Sequence, residues 1–146
     1  MKVGTDGVLL GAWCPLPNSA ASNSPQGVLY PRILDIGTGT GLIAIMAAQR
    51  TVESRITAID IDPDCITQAK ENATASPWSE RIDIVHTPLQ EFATDEKFDV
   101  IVSNPPYFVD SFLSPDASRS TARHTDTLSF NELTQGVLRL LAQEGR

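Results

Sequence analysis

The sequence is poor in the residues on which several classes of protein depend. It has two cysteines, Cys14 and Cys65, which are far apart and lack metal-ligand spacing, so we expect free thiols in a reducing compartment. Basic residues number 11 against 18 acidic ones, giving a net charge of −7. This balance argues against nucleic acid, because phosphates are bound through lysine and arginine. No apolar run reaches membrane-span length and no secretory signal precedes the first predicted strand, so we expect a cytoplasmic protein without a membrane partner.

The length predicts one domain, over residues 1–146, with a hydrophobic content of 41% that is enough for a core. Both ends look cut. The chain opens directly on the motif-like segment KVGTDG and stops after a predicted helix, where an α/β chain normally enters its next strand. We therefore expect the domain to be partial.

The most informative stretch is Asp-Ile-Gly-Thr-Gly-Thr-Gly at 35–41, between a predicted strand at 32–36 and a helix from Leu42. Glycine at such a turn adopts positive φ and lets the backbone approach a ligand, while the first helical turn offers unpaired N–H groups. The spacing G-x-G-x-G differs from the dinucleotide fingerprint G-x-G-x-x-G, and the Gly-Lys-Ser/Thr of a P-loop is missing. The stretch predicts a nucleotide- or nucleoside-binding α/β domain.

Further strands are predicted at 55–60, 82–86 and 98–103, alternating with helices at 63–75 and 131–141, and a turn or short helix is predicted at 87–92. Such alternation is typical of a Rossmann-like α/β fold with a mainly parallel sheet and helices on both faces. The carboxyl ends of the strands then lie along one edge, where ligands bind. We expect Asp35, Asp60 and Asn104 to converge there.

Asp60 ends the second predicted strand, where an acid accepts hydrogen bonds from ribose hydroxyls in doubly wound folds. Asp60, Asp62 and Asp64 alternate along the chain, which raises the alternative of a metal site. Pro63 and Cys65 break the calcium-loop pattern, so we predict no metal. Asp62 is instead predicted to cap the next helix, with Pro63 at its first position.

Residues 5–13 are predicted to form a short helix, which Thr5 or Asp6 would cap. We expect its apolar side chains to pack in the core; these are Val8, Leu9, Leu10 and Trp13. The alternative, that Thr5 and Asp6 line a ligand site, stays open.

The fourth strand runs into Asn104-Pro105-Pro106-Tyr107. Two prolines stiffen the backbone and leave carbonyls free, and the Asn104 side chain adds a further acceptor. This arrangement suits an exocyclic NH2 group or a side-chain amide, with the Tyr107 ring as a stacking face. The alternative is a proline-rich turn that only ends the strand. His86, at the end of the third strand, is assigned no role.

The long loop at 108–129 contains the one basic cluster of the sequence, Arg119, Arg123 and His124. Loops of this length in a compact domain are often functional, although a solvated loop is an adequate alternative.

The glycine stretch, the acid after strand two and the segment SNPPY at 103–107 together resemble S-adenosylmethionine-dependent methyltransferases that act on amino groups. KVGTDGVLLGAW at 2–13 and ARHT at 122–125 are similar, more narrowly, to bacterial tRNA (adenine-N6) methyltransferases. Members of that family modify the adenine beside the anticodon of a valine tRNA. The resemblance covers nearly the whole chain.

The resemblance implies S-adenosylmethionine as cofactor and tRNA as substrate. Residues implied to bind or close over the cofactor are Thr5, Asp6, Asp35, Gly37, Gly39, Gly41 and Asp60. Residues implied to hold the adenine are Asn104, Pro105, Pro106 and Tyr107, and those implied to meet tRNA are Arg123 and His124. One departure is Pro88, which stands where such enzymes often carry an acid after strand three. The usual strand order, 3-2-1-4-5-7-6, would leave strand four as an unpaired edge here.

Two alternatives stay open. A protein glutamine methyltransferase acting on release factors uses the same Asn-Pro-Pro-Tyr on a side-chain amide. A non-catalytic module that only binds the cofactor is the other.

Overall fold

Four strands form the sheet of this protein, whose computed structural model describes residues 4–17, 30–105 and 128–146. The strands are β1 (Arg32–Ile36), β2 (Arg55–Asp60), β3 (Ile82–His86) and β4 (Val100–Ser103). Their order is β3-β2-β1-β4 and all neighbouring pairs are parallel. The predicted parallel sheet is confirmed, and the order matches the first four strands that the resemblance implied.

Four helices cover both faces of the sheet: α1 (Thr5–Trp13), α2 (Leu42–Arg50), α3 (Pro63–Ala75) and α4 (Phe130–Leu140). Alternate residues of a strand point to opposite faces. Ile33 of β1 accordingly packs in a cluster with residues of α2 and α3, whereas its neighbour Leu34 packs with residues of α4. The Rossmann-like layering predicted from the sequence is therefore present.

The register brings the candidate residues to one edge of the sheet. Ile36, the last residue of β1, lies opposite Ile59 in β2 and Ser103 in β4. Gly37, Asp60 and Asn104 are each the next residue along their own segments. Three segments that are distant in sequence therefore end side by side, as expected for the ligand-binding edge of a parallel sheet.

Helix α1 has the predicted bounds but neither the predicted cap nor the predicted packing. Its N-cap is Gly4, which is extended and makes no side-chain cap, so capping by Thr5 or Asp6 is wrong. The side chains of Val8 and Leu9 are each 41% exposed and that of Trp13 is 78% exposed. Only Leu10 of the four expected core residues packs against the core.

The two buried residues of α1 are glycines, beside the half-buried Leu10. Gly7 and Gly11 are the buried residues of the helix, and they lie against side chains of α2. An apolar pattern alone could not predict this, because the close approach of two helices favours the residues without side chains and turns the larger ones outward.

Strand β4 is shorter than predicted and its outer edge is partly paired. It begins at Val100, and Phe98, which was predicted to belong to it, forms an isolated parallel bridge with Leu141, after α4. Further along, Arg146 N–H donates to the Asp99 carbonyl (3.0 Å) and Ile101 N–H donates to the Arg146 carbonyl (2.9 Å). The expectation of an unpaired edge is therefore wrong for the first half of β4, since residues 140–146 supply partners for it.

Several local predictions are confirmed. Asp62 caps α3 by accepting from Asp64 N–H and Cys65 N–H, with Pro63 in the first turn. Helix α4 begins one residue before the predicted start, behind a capping box in which hydrogen bonding by Ser129 lowers the pKa of Glu132 to about 2. Residues 87–92 form a turn, in which Glu91 N–H donates to the Pro88 carbonyl.

Both cysteines are free thiols, as predicted, and the structure shows that both are buried. Burial is also the main cause that raises the pKa of Cys65 to about 11, so this thiol stays protonated near neutral pH. Within the described residues, no helix combines the length and the apolar character needed to cross a bilayer.

Candidate ligand site at the carboxyl edge of the sheet

The loop between β1 and α2 has the backbone that its glycines predict. Gly37, Gly39 and Gly41 have φ values of 71°, 57° and 79°, and they are the residues with positive φ in the described part of the chain. Side chains other than glycine rarely adopt this conformation, so each position favours glycine for backbone reasons. The loop turns the chain sharply from the end of β1 into α2, whose N-cap is Gly41.

Most N–H groups of this loop donate inside the protein. Gly37 and Thr38 both donate to the carbonyl of Ile59 in β2, at 2.9 and 3.1 Å, and Gly41 donates to the carbonyl of Thr38. Gly39 N–H donates to a carboxylate oxygen of Asp60 at 2.8 Å. These N–H groups already donate hydrogen bonds within the protein, so they are not available to bind a phosphate. Phosphate is the ligand of most glycine-rich turns at helix N-termini.

Asp60 holds the loop with one carboxylate and retains further hydrogen-bonding capacity. Its Oδ2 accepts from Gly39 N–H, and its Oδ1 accepts from Asp62 N–H at 3.0 Å. Each carboxylate oxygen can accept a second hydrogen bond. Asp60 is half-buried at the end of β2, so both oxygens remain suited to a pair of neighbouring hydroxyl groups.

Asp35 is an ionisable group enclosed beneath the loop. It has no solvent exposure, and its Oδ2 accepts a short hydrogen bond (2.6 Å) from the hydroxyl of Thr38. Burial raises the pKa of Asp35 to about 6, although the Thr38 hydroxyl and the backbone amide of Ala44 in α2 both favour the charged form. The nearby charge of Asp60 raises it slightly further.

The second carboxylate oxygen of Asp35 accepts no hydrogen bond of standard geometry, although the nearby amide of Ala44 favours the charged form of the carboxyl. Its Oδ1 is the buried side-chain oxygen or nitrogen that lacks a hydrogen bond within the described residues. Such a group carries a desolvation cost, and in native proteins it commonly marks a bound water, ion or ligand. Thr38, which holds the other oxygen, was not singled out from the sequence, because threonine in a glycine-rich loop carries no signal of its own.

Helix α3 fixes the loop from outside. The side-chain amide of Asn72 donates to the Thr40 carbonyl at 2.9 Å. A Cβ atom added to Gly41 would lie only 3.3 Å from the Cβ of Ala69, so the two segments are already in close contact. Sequence reasoning missed Asn72 because its partner is 32 residues away, and no local pattern connects them.

Asn104 follows β4 at the same edge. The preceding residue, Ser103, donates its hydroxyl to the Ile36 carbonyl at 2.9 Å, which joins the end of β4 to the end of β1. Asn104 and Pro105 are half-buried. The other predicted residues of this segment and of the basic cluster, Pro106, Tyr107, Arg123 and His124, lie outside the described residues.

A family comparison agrees with this arrangement. The family model described as "Methyltransferase small domain" matches residues 23–137. The chain belongs to this methyltransferase family. The glycine loop, Asp60 and Asn104 all fall inside the matched segment.

Curated relatives are similar over nearly the whole chain. A protein of Bacteroides thetaiotaomicron named tRNA1(Val) (adenine(37)-N6)-methyltransferase is 53% identical over 146 residues, which is 99% of this chain and 57% of the relative. Proteins with the same name from Parabacteroides distasonis and Shewanella halifaxensis are 54% and 47% identical and are covered over 57% and 56% of their lengths. The chain thus spans a little over half the length of the curated relatives it matches.

Solved structures with little sequence identity share the fold. YjhP from E. coli superposes with a TM-score of 0.62 at 20% identity, over 98% of this chain and 47% of that one. A putative S-adenosylmethionine-dependent methyltransferase from Methanococcus maripaludis gives 0.58 at 20% identity, over 80% and 45%. The predicted fold class and the resemblance to methyltransferases are both confirmed.

Three further residues considered in the sequence analysis, Thr5, Asp6 and His86, lie in the described part of the chain. Thr5 and Asp6 are exposed in the first turn of α1, and the next residue, Gly7, faces the Asn104 amide. His86 Nε2 lies 2.9 Å from the Ile61 carbonyl, which gives the ring a local structural partner. In the described ranges, no three His, Cys, Asp or Glu side chains are grouped as metal ligands.

The site chemistry follows from these contacts. One edge of the sheet presents a carboxylate suited to a diol (Asp60), an enclosed carboxylate with an unpartnered oxygen (Asp35), and an amide beside a rigid proline segment (Asn104 and Pro105). Asp60 suits the neighbouring hydroxyls of a nucleoside, and the Asn104–Pro105 segment suits an NH2 group. Asp35, which has no solvent exposure, acts on the loop through Thr38.

Proposed function

We propose that this protein is an S-adenosylmethionine-dependent methyltransferase that modifies the exocyclic N6 amino group of an adenine in tRNA. The observation that carries the proposal is the 53% identity, over 99% of the chain, to a relative named for that reaction. Because the chain covers 57% of that relative, the activity of the whole protein is part of the proposal.

The described residues fit the proposed cofactor. Among the described residues, nothing lies within 4 Å of a Cβ atom added to Gly37, so these residues leave space beside the loop. The two carboxylate oxygens of Asp60 can each accept one more hydrogen bond, which matches the two hydroxyls of a ribose. Asp35 has no solvent exposure and holds the loop through the Thr38 hydroxyl, so its proposed part in binding is to fix the loop beside the ligand.

S-adenosylmethionine, when bound, supplies an electrophilic methyl group on a sulfonium. We assign binding to Asp35, Gly37, Gly39, Gly41 and Asp60, with Thr5 and Asp6 of α1 closing over the bound molecule. Thr38 and Asn72 join this set as positioning residues, because they hold Asp35 and the Thr40 carbonyl.

Asn104 and Pro105 are assigned to the acceptor. The Asn104 Oδ1 and the Pro105 carbonyl accept the two N–H hydrogens of an amino group, and this orients the nitrogen lone pair away from them. The same two acceptors stabilise the positive charge that develops on the nitrogen during transfer. The proton leaves after the transfer, so no strong base is required. Pro106 keeps this backbone rigid, and Tyr107 is proposed to stack on the flipped-out base.

Recognition of tRNA needs basic surface that the chain as a whole has little of. We assign this role to Arg123 and His124 and, following the names of the relatives, take adenine 37 of a valine tRNA as the target. We propose a cytoplasmic location for this reaction, which two free thiols support.

The test is methyl transfer from labelled cofactor by the full-length protein, offered three substrates in parallel. These are the valine tRNA transcript, the same transcript with guanine in place of adenine 37, and a release factor. Transfer only to the first transcript is the expected result. Transfer to the release factor identifies a glutamine methyltransferase, and cofactor binding without any transfer identifies a non-catalytic module.

Two asparagine variants complete the test. Asn104→Ala removes one acceptor at the amino group, and we expect turnover to fall on the order of 100-fold, as for a lost oxyanion-hole donor. Asn131→Ala is the matched control. Asn131 is exposed on α4, which packs on the face of the sheet opposite to α2 and α3. Equal turnover of the two variants contradicts the assignment of Asn104.

A further inference from the structure

Two glycines that lie one helical turn apart take part in the contact between α1 and α2. Gly7 and Gly11 are both buried, and they face Leu42 and Met46, which are also four residues apart. Residues at this spacing lie on one face of a helix. Gly7 therefore packs against Leu42, and Gly11 packs against Met46.

The backbone does not require glycine at either position. The positive-φ glycines of the described chain are Gly37, Gly39 and Gly41, so Gly7 and Gly11 have conformations that any L-residue adopts. Glycine in a helix interior also destabilises the helix relative to alanine. What glycine supplies at these positions is therefore space.

The two glycines face different neighbours. A Cβ atom added to Gly11 would lie 2.6 Å from the sulfur of Met46, a flexible side chain within the helix pair. A Cβ atom added to Gly7 would lie 3.5 Å from Nδ2 of Asn104 and 3.8 Å from a methyl group of Leu42. Of the two glycines, Gly7 is thus the one that lies beside Asn104, the residue assigned to bind the acceptor amino group.

We propose that Gly7 is a positioning residue for Asn104, whose missing side chain lets α1 lie against the end of β4 and determines where the Asn104 amide sits. This inference rests on the proposed function of Asn104. Gly7 itself contacts neither cofactor nor acceptor in this proposal.

The geometry explains why Gly7 has this influence. The backbone before Asn104 is held by β4 pairing and by the hydrogen bond from the Ser103 hydroxyl to the Ile36 carbonyl. The side-chain torsions of Asn104 are then its main remaining freedom, and α1 borders the side on which Nδ2 lies. A group added at position 7 therefore acts on the direction of the amide.

The effect depends on the size of the added group. An alanine Cβ at 3.5 Å makes an ordinary van der Waals contact with Nδ2, so we expect it to fit without moving the helix. Each further carbon extends about 1.5 Å beyond that position. A valine, which is rigid at χ1 in a helix, is therefore expected to displace the Asn104 amide or Leu42.

The experiment compares Gly7→Ala, Gly7→Val and Gly11→Ala in the full-length protein. Measured quantities are the single-turnover rate on valine tRNA, the cofactor dissociation constant by calorimetry, and the NMR resonances of the Asn104 side-chain NH2 group, assigned with Asn104→Ala. Gly11→Ala is the matched control, because it makes the same change on the same helix face away from Asn104.

We expect Gly7→Val to lower the transfer rate on the order of 100-fold, the cost of misplacing a positioning group by about 1 Å. Cofactor affinity should change far less than the rate. In the Asn104→Ala background the same substitution should have little further effect, since the residue through which it acts is gone. Gly7→Ala should shift the Asn104 NH2 resonances, and Gly11→Ala should leave them unchanged.

The proposal is overturned by any of three results. These are a wild-type transfer rate in Gly7→Val, full additivity of Gly7→Val with Asn104→Ala, or equal resonance shifts in Gly7→Ala and Gly11→Ala. If Gly7→Val does not fold, the resonance comparison decides alone, because the added Cβ makes only an ordinary contact in Gly7→Ala and meets the movable end of the Met46 side chain in Gly11→Ala. If wild-type protein transfers no methyl group to tRNA, the proposed function fails, and the resonances still test the position of Asn104.

Discussion

Replacing the buried acid Asp35 by asparagine should make the folded protein more stable at neutral pH. Burial raises the pKa of Asp35 from 3.8 to about 6, so the folded state favours the protonated carboxyl. The stability that this group contributes is fully present below pH 3.8 and is lost as the pH rises through about 6. Asparagine has no charge to bury and keeps an oxygen that can accept from the Thr38 hydroxyl.

The pKa shift sets the size of the effect. A carboxyl with these two pKa values lowers the free energy of unfolding by roughly 3 kcal/mol once the pH is above both of them. Between about pH 4.5 and about pH 7.5 the change is roughly 2 kcal/mol, because the unfolded chain is already mostly ionised at the lower pH. Asp35→Asn has no carboxyl to ionise at this position. The free energy of unfolding of Asp35→Asn, relative to that of wild type, should therefore rise by roughly 2 kcal/mol over the same pH interval.

The assay is urea unfolding of wild type and Asp35→Asn across this pH interval, with the difference in unfolding free energy plotted against pH. A constant offset reports the hydrogen bonds of the new NH2 group, and the slope reports the buried charge. Asp83→Asn, at an exposed acid of β3, is the control and should run parallel to wild type. A difference between wild type and Asp35→Asn that does not change with pH would refute the reasoning.

Removing the hydroxyl of Thr38 tests whether its hydrogen bond stabilises the charged form of Asp35. Thr38→Val keeps the shape of the side chain and removes the donor to Asp35. Because that hydrogen bond favours the charged form, its loss should raise the pKa of Asp35 further and move the loss of stability to higher pH. An unchanged pH profile in Thr38→Val would mean that the hydroxyl does not stabilise the carboxylate.

Two further substitutions test the loop. Asp60→Ala removes the acceptor of Gly39 N–H and the proposed ribose acceptor, so S-adenosylmethionine affinity measured by calorimetry should weaken by roughly 1–3 kcal/mol. Asp64→Ala, at an exposed acid in the first turn of α3, is its control. Equal affinities in the two variants would remove Asp60 from the site. Asn72→Ala removes the donor to the Thr40 carbonyl and should weaken cofactor binding by about 1 kcal/mol, while Glu71→Ala, the exposed preceding residue, should bind as wild type. A Glu71→Ala effect as large as that of Asn72→Ala would show that the hydrogen bond to Thr40 is irrelevant.

Features governed by neighbours along the chain were predictable from the sequence. The three glycines at alternate positions do have positive φ, and Asp62 does cap α3 with Pro63 after it. Both are decided within a few residues, by the steric freedom of glycine and by the reach of a short acidic side chain. The parallel sheet followed likewise, because strands that alternate with helices can rarely pair in another way.

Features governed by contacts between distant segments were decided by tertiary structure. The apolar residues of α1 predicted a buried face, but the helix turns Gly7 and Gly11 inward and leaves Trp13 exposed. The outer edge of β4 was expected to be unpaired, yet the chain after α4 returns to pair with it. The hydrogen bond from Asn72 to Thr40 spans 32 residues. No local pattern encodes which faces meet, because the free energy of such contacts depends on the fit of surfaces that exist only once the sheet and helices have assembled.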